Sequence, residues 1–209
     1  MNKQNKIDID KYLKEVSVLF NTAKQVRKEP SMPIVFRPWV GNLYRASNRF
    51  GVRVLVLGES HYGDESETRP TFTTEVVRWL AQDERHAFFT KVSKVLLGLY
   101  RNTWLNDEDR GEVWEHVAFY NYIQGFVSTD PRVRPTTEMW KNSGEPFLQV
   151  VRELNPQLIL VLGIELGRNI PAVNGDIEVC VIQHPSTGFS YEKWNGKFYE
   201  ALKRATDNG

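Results

Sequence analysis

The sequence predicts an α/β fold, a three-layer αβα arrangement around a four-stranded, mostly parallel central sheet. Four short apolar runs carry this expectation: 52–58, 116–120, 158–162 and 178–182. They alternate with longer stretches of helical spacing, the pattern of strands joined by crossover helices. Each run also ends in the same way, at glycine or polar groups: Gly58-Glu59, Asn121, Gly163 and Gln183-His184. In a parallel sheet these carboxyl ends share one edge, where open α/β sheets bind ligands.

Residues 8–28 place Tyr12, Leu13, Val16, Leu19, Phe20, Ala23 and Val26 at three- and four-residue spacing, which predicts an amphipathic helix closed by Glu29-Pro30. The segment 32–51 has no steady period and reads as an ordered loop, with Phe36, Trp39 and Tyr44 more simply core than pocket wall. The first strand, 52–58, delivers Glu59, Ser60, His61, Tyr62 and Asp64 within a few positions. A polar loop over 63–74 leads to a helix through Val76, Val77 and Leu80. A second helix is expected over about 84–100, with Phe88, Phe89, Val92, Val95, Leu96 and Leu99 facing the core. Asp107 to Asp109 suit a helix start, or simply a solvated face.

The second strand, 116–120, leads to Asn121 and Gln124. Residues 128–146 are rich in Pro, Thr, Arg and Gly and read as a long surface loop carrying Arg132 and Arg134. Pro146 is expected to open a helix that Asn155-Pro156 ends. After the third strand, 158–162, a helix begins at Ile164. The fourth strand runs into 183–190, and a helix over 191–204 closes the chain. The whole of 1–209 reads as a single domain.

Lys plus Arg number 27 against 26 for Asp plus Glu, so no net field draws the whole molecule to a polyanion, and any nucleic-acid contact must come from a local patch. One cysteine, Cys180, excludes an internal disulfide and an all-cysteine metal or iron–sulfur site. The polar N-terminus MNKQNKIDID and the lack of a long apolar span imply a cytoplasmic protein with no membrane partner. No cofactor and no metal are expected, and the chain is read as a monomer.

The motif order resembles the uracil-DNA glycosylase superfamily. In that superfamily the first strand ends in Gly-Gln-Asp-Pro-Tyr or Gly-Glu-Ala-Pro-Gly, where this chain has Gly58-Glu59-Ser60-His61-Tyr62. A strand ending in Asn is matched by Phe119-Tyr120-Asn121, and a terminal His-Pro-Ser by His184-Pro185-Ser186. The middle is similar to the iron–sulfur branch: Arg69-Pro70-Thr71-Phe72, Arg134-Pro135-Thr136-Thr137-Glu138, Pro146-Phe147-Leu148 and a strand from Pro156 to Gly163. The resemblance covers about 52–190 and leaves 1–50 outside. The cluster cysteines are absent, so no iron–sulfur cluster is implied. Ser60 stands where the best-known branch has its water-polarising aspartate, which leaves Glu59 as the carboxylate.

The resemblance implies a monofunctional DNA glycosylase that hydrolyses the N-glycosidic bond of a flipped base, with DNA as partner, in base excision repair or phage defence. Glu59 and His184 are the implied catalytic pair: a carboxylate beneath the sugar and a histidine at the base oxygen. Asn121 and Phe72 would read and stack the base, which must leave the duplex stack. Tyr62, Ser60 and His61 are further base-side candidates; Ser60 and His61, with Asp64, are where the motif departs from its relatives, which opens a bulkier modified pyrimidine as an alternative to uracil. Ser186, Thr187, Gly188 and Phe189 form the implied wedge loop, and Arg134 and Lys193, with Arg132, the phosphate contacts. No lysine stands at the catalytic strand ends, so no Schiff-base lyase step is expected. Two other classes stay open: a non-catalytic binder of nucleotide or modified DNA, and a Gly-Asp-Ser-like esterase using Ser60 and His184. The esterase lacks its Asp-x-x-His spacing. Each residue also has a plainer role, Glu59 as a loop or capping carboxylate, Asn121 as a turn residue and Phe72 as core. His86 and His116 read as structural or surface residues.

Overall fold

The computed structural model describes residues 33–46, 48–130, 132–186 and 188–208, all within the compact unit Met32–Gly209. The helix expected over 8–28 and the wedge-loop residue Thr187 lie outside the described residues.

The chain forms an α/β fold on a five-stranded mixed sheet. The strands are β1 (Trp39–Val40), β2 (Val54–Gly58), β3 (Val117–Asn121), β4 (Leu158–Leu162) and β5 (Glu178–Ile182), in the order β1-β3-β2-β4-β5. The four expected strands are all present and mutually parallel. The fifth, β1, corrects the expected four-stranded sheet: it adds two residues antiparallel to β3, with Trp39 opposite Phe119. A strand that short leaves no periodic trace, and Trp39, expected in a loop, is buried through the sheet and through an Nε1–H bond to Trp114 O at 2.9 Å.

Helices α1 (Phe72–Val77), α2 (Ala87–Leu96) and α3 (Asp107–Glu112) connect β2 to β3. Helices α4 (Thr137–Asn142) and α5 (Gly144–Leu154) connect β3 to β4, α6 (Ile164–Asn169) connects β4 to β5, and α7 (Tyr191–Asp207) ends the described chain. Strand alternation sends Val54, Val56, Phe119 and Leu160 to one face, against Phe89, Val92 and Phe198 of α2 and α7. Leu55, Leu57, Tyr120 and Ile159 go to the other, against Phe147 and Val151 of α5 and Leu166 of α6. Both faces are therefore covered, which is why the strands read as continuous apolar runs.

Several boundaries differ from expectation. The helix expected over 84–100 ends at Leu96, because Gly98 takes a left-handed φ of 68° and its N–H closes back on Val95 O at 3.1 Å. Ahead of it, Arg78–Asp83 form a π-helical turn whose carbonyls at Ala81 and Gln82 accept from the fully buried Arg110. His116 belongs to a short 3-10 helix rather than to the second strand, which starts at Val117. The surface loop expected over 128–146 contains α4, started by the Thr136 hydroxyl accepting from Met139 N–H at 3.2 Å, and α5 begins at Gly144 instead of Pro146.

The β2–β3 and β4–β5 connections run in opposite directions along the sheet, so right-handed crossovers place them on opposite faces. The loops leaving β2 and β4 consequently diverge, which makes the carboxyl ends of these strands the place where open α/β sheets bind ligands.

Candidate functional site

Glu59 follows β2 directly and its side chain is only 11% exposed. Arg134 grips it with both arms, Nη1 to Oε1 at 2.7 Å and Nη2 to Oε2 at 2.9 Å. The same Nη2 also reaches Glu165 Oε2, at 2.6 Å. Glu165 lies in the first turn of α6, just past β4. One guanidinium thus bridges the carboxylates at the two strand ends. Burial holds the Glu59 carboxyl above the usual range, with the Arg134 hydrogen bonds and charge pulling back against it.

His184 stands two residues beyond β5, on the next strand along. Its Nδ1 accepts the Ser186 N–H at 3.2 Å and lies 2.7 Å from Ser186 Oγ, which places the proton of the neutral ring on Nε2. Phe88 packs against the ring with centroids 5.5 Å apart, and Lys91 Nζ bonds Pro185 O at 2.6 Å, so α2 holds this loop. Burial, then the charges of Arg134 and Lys91, lower the His184 pKa. Near pH 7 the ring is neutral.

Asn121 ends β3 directly opposite Gly58 and is buried. Its amide lies against Gly58: a Cβ there would sit 2.1 Å from Asn121 Oδ1, so only glycine fits. Asn121 Nδ2 lies 3.1 Å from Nδ1 of His61, whose Nε2 lies 2.8 Å from Thr73 Oγ1. Phe72 is buried beside His61 with Phe36 and Phe126, and Arg69 stacks on its outer face 5.2 Å from the ring centre. Tyr62 is exposed and its hydroxyl bonds Val133 O at 3.1 Å, tying the β2 loop to the segment that carries Arg134. Ser60 is partly buried next to Glu59.

No protein-family model matches this chain, and no curated protein matches it.

Glu59, Asn121 and His184 therefore stand at one sheet edge, as the strand-end pattern predicts, and Arg134 joins Glu59 there from the segment ahead of α4. The wedge loop is arranged differently from a protruding tip: Ser186 and Gly188 are exposed, but Phe189 turns inward onto Tyr191 at 5.2 Å. Lys193 is exposed on α7 over the Trp194 ring, 4.5 Å from its centre. Arg134, read from the sequence as a phosphate contact, is engaged with carboxylates. Glu165 is the principal residue that the sequence reading passes over. Its signal is a repeated pattern, since VLGIE at 161–165 echoes VLGES at 56–60. Thr73 and Lys91 were equally hidden, each acting on a residue distant in sequence. No cluster of three or more His, Cys, Asp or Glu able to hold a metal occurs among the described residues. No helix among them is long and apolar enough to cross a membrane.

Proposed function

We propose that this protein is a DNA glycosylase that hydrolyses the N-glycosidic bond of a flipped uracil or modified pyrimidine, in repair or in defence against modified phage DNA. The observation that carries the reading is the largely buried Glu59 carboxylate at the end of the central strand, on the same sheet edge as the Asn121 amide and the neutral His184 ring. The C1′–N bond breaks with its electron pair leaving on the base, and His184 Nε2–H stabilises the charge that develops on the base oxygen. Glu59 orients a water whose oxygen bonds C1′, and accepts the proton that this water loses. Arg134 moves from Glu59 to a backbone phosphate as DNA enters, which frees the carboxylate for that role. Lys193, Ser186 and Gly188 lie on exposed surface suited to the strand backbone. DNA is the partner in this reading, a monomer is the working state and the cytoplasm is its location.

One observation favours a non-catalytic binder of nucleotide or modified DNA: both Glu59 oxygens are already held by Arg134. The two readings separate in one assay. Labelled duplexes carrying uracil, hypoxanthine, hydroxymethylcytosine or glucosylated cytosine are incubated with the protein and treated with alkali. Strand breaks at the marked base support the glycosylase. Binding of the duplexes with no break on any of them supports the binder.

A further inference from the structure

His61 is buried where the segment after β2 runs beside the segment after β3, bridged to Phe126. The rings of Phe36 and Phe72 stand edge-on to it at 5.1 and 5.0 Å. Its two nitrogens are spoken for, Nε2 at 2.8 Å from Thr73 Oγ1 and Nδ1 at 3.1 Å from Asn121 Nδ2.

We propose that His61 is a positioning residue that fixes which way round the Asn121 amide is held, and thereby sets whether the site accepts a keto-type or an amino-type pyrimidine edge. This rests on Asn121 being the group that reads the base.

A neutral imidazole has one donor and one acceptor nitrogen, so the chain has two self-consistent settings. In one, Nε2–H donates to Thr73 Oγ1 and Nδ1 accepts an Asn121 N–H. In the other, the Thr73 hydroxyl donates to Nε2, Nδ1–H faces the Asn121 oxygen, and the amide is turned over. Turning it over would place an NH2 group where Oδ1 now lies against the Gly58 α-carbon, aiming N–H bonds at C–H bonds. The first setting is therefore the one held. The three phenylalanine rings favour a neutral ring, since a buried imidazolium would lack the solvation it needs.

Uracil presents N3–H and O4 along its pairing edge, and cytosine presents N3 and N4–H, the reverse order of donor and acceptor. An amide that cannot turn matches one order and sets like against like on the other, which is how fixed polar groups discriminate. An amide free to rotate serves both.

The test is calorimetric titration of the full chain with free uracil and with free cytosine, together with 15N spectra of the histidine rings. Wild type is expected to prefer one base by about tenfold or more, the scale of a well-formed bidentate base contact. His61→Leu, and Thr73→Val if that variant does not fold, should narrow the preference to about twofold. His61→Asn supplies an oxygen near the Nδ1 position and should restore the preference, whereas His61→Gln, reaching toward Thr73 instead, should not. The His61 ring should show a bare Nδ1 and a protonated Nε2 from pH 5 to 8. A proton on Nδ1, an unchanged preference in both His61→Leu and Thr73→Val, or no binding of either base overturns the proposal. Because no bond is cleaved, a failure here is distinct from a failure of the cleavage assay. A protein that cuts marked DNA while His61 variants keep the wild-type preference loses only this inference.

Discussion

Arg134 holds Glu59 through both carboxylate oxygens, at 2.7 and 2.9 Å, at the carboxyl end of β2. Paired, charge-assisted contacts of this type fix geometry as well as charge, and here the carboxylate is nearly out of solvent. The contact to Glu165 is between more exposed groups and contributes correspondingly less. Arg134 therefore acts chiefly on Glu59.

Removing Arg134 should raise the Glu59 pKa further, since burial pushes it up and Arg134 is the main opposing influence. In Arg134→Gln, the 13C signal of the Glu59 carboxyl should titrate at higher pH than in the wild type. The acid limb of any Glu59-dependent activity should move the same way. A midpoint that stays put or drops contradicts the pairing.

His61 links stability to acidity. Burial pushes its pKa down to about 3, against about 6.5 for a solvated histidine. Between those values the unfolded chain binds a proton that the fold does not. The contribution is fully present above about pH 6.5 and is lost as pH falls, by about 1.4 kcal/mol per pH unit. Stability from denaturant unfolding should be lower at pH 5.5 than at pH 7.5 by about 1.4 kcal/mol, since only the unit below pH 6.5 contributes, and His61→Asn should remove much of that slope. An equal slope in the variant would mean that other groups are responsible.

Gly58→Ala should damage the site and the fold together. The new methyl group would meet Asn121 Oδ1 at 2.1 Å and Phe119 Cζ at 3.1 Å. Asn121 would have to move off His61, and overpacking of this kind costs about 1–3 kcal/mol. A denaturant midpoint equal to wild type would contradict the close approach.

The strands were legible because they are buried on both faces and so leave unbroken apolar runs, and their shared polar ends already grouped Glu59, Asn121 and His184. What escaped was local or distant in sequence. β1 has two residues and α4 six, too few for a period to show, and α4 is disguised by the Pro and Thr around it. His61 reads as one polar residue in a polar loop. Its burial comes from Phe36, Phe72 and Phe126, which arrive from three separate segments. Arg134 reads as a free cation because its partner is 75 positions away.

The most direct measurement is the single-turnover rate of Glu59→Gln beside wild type on whichever marked duplex is cleaved, with binding of the same duplex measured in parallel and His184→Ala as a companion. Glu59→Gln and His184→Ala should each lower the rate by on the order of a hundredfold or more. Glu59→Gln should keep duplex affinity within about tenfold, because the carboxylate acts on the water and on developing charge. A Glu59→Gln protein that cleaves at the wild-type rate would contradict the assignment of the catalytic carboxylate.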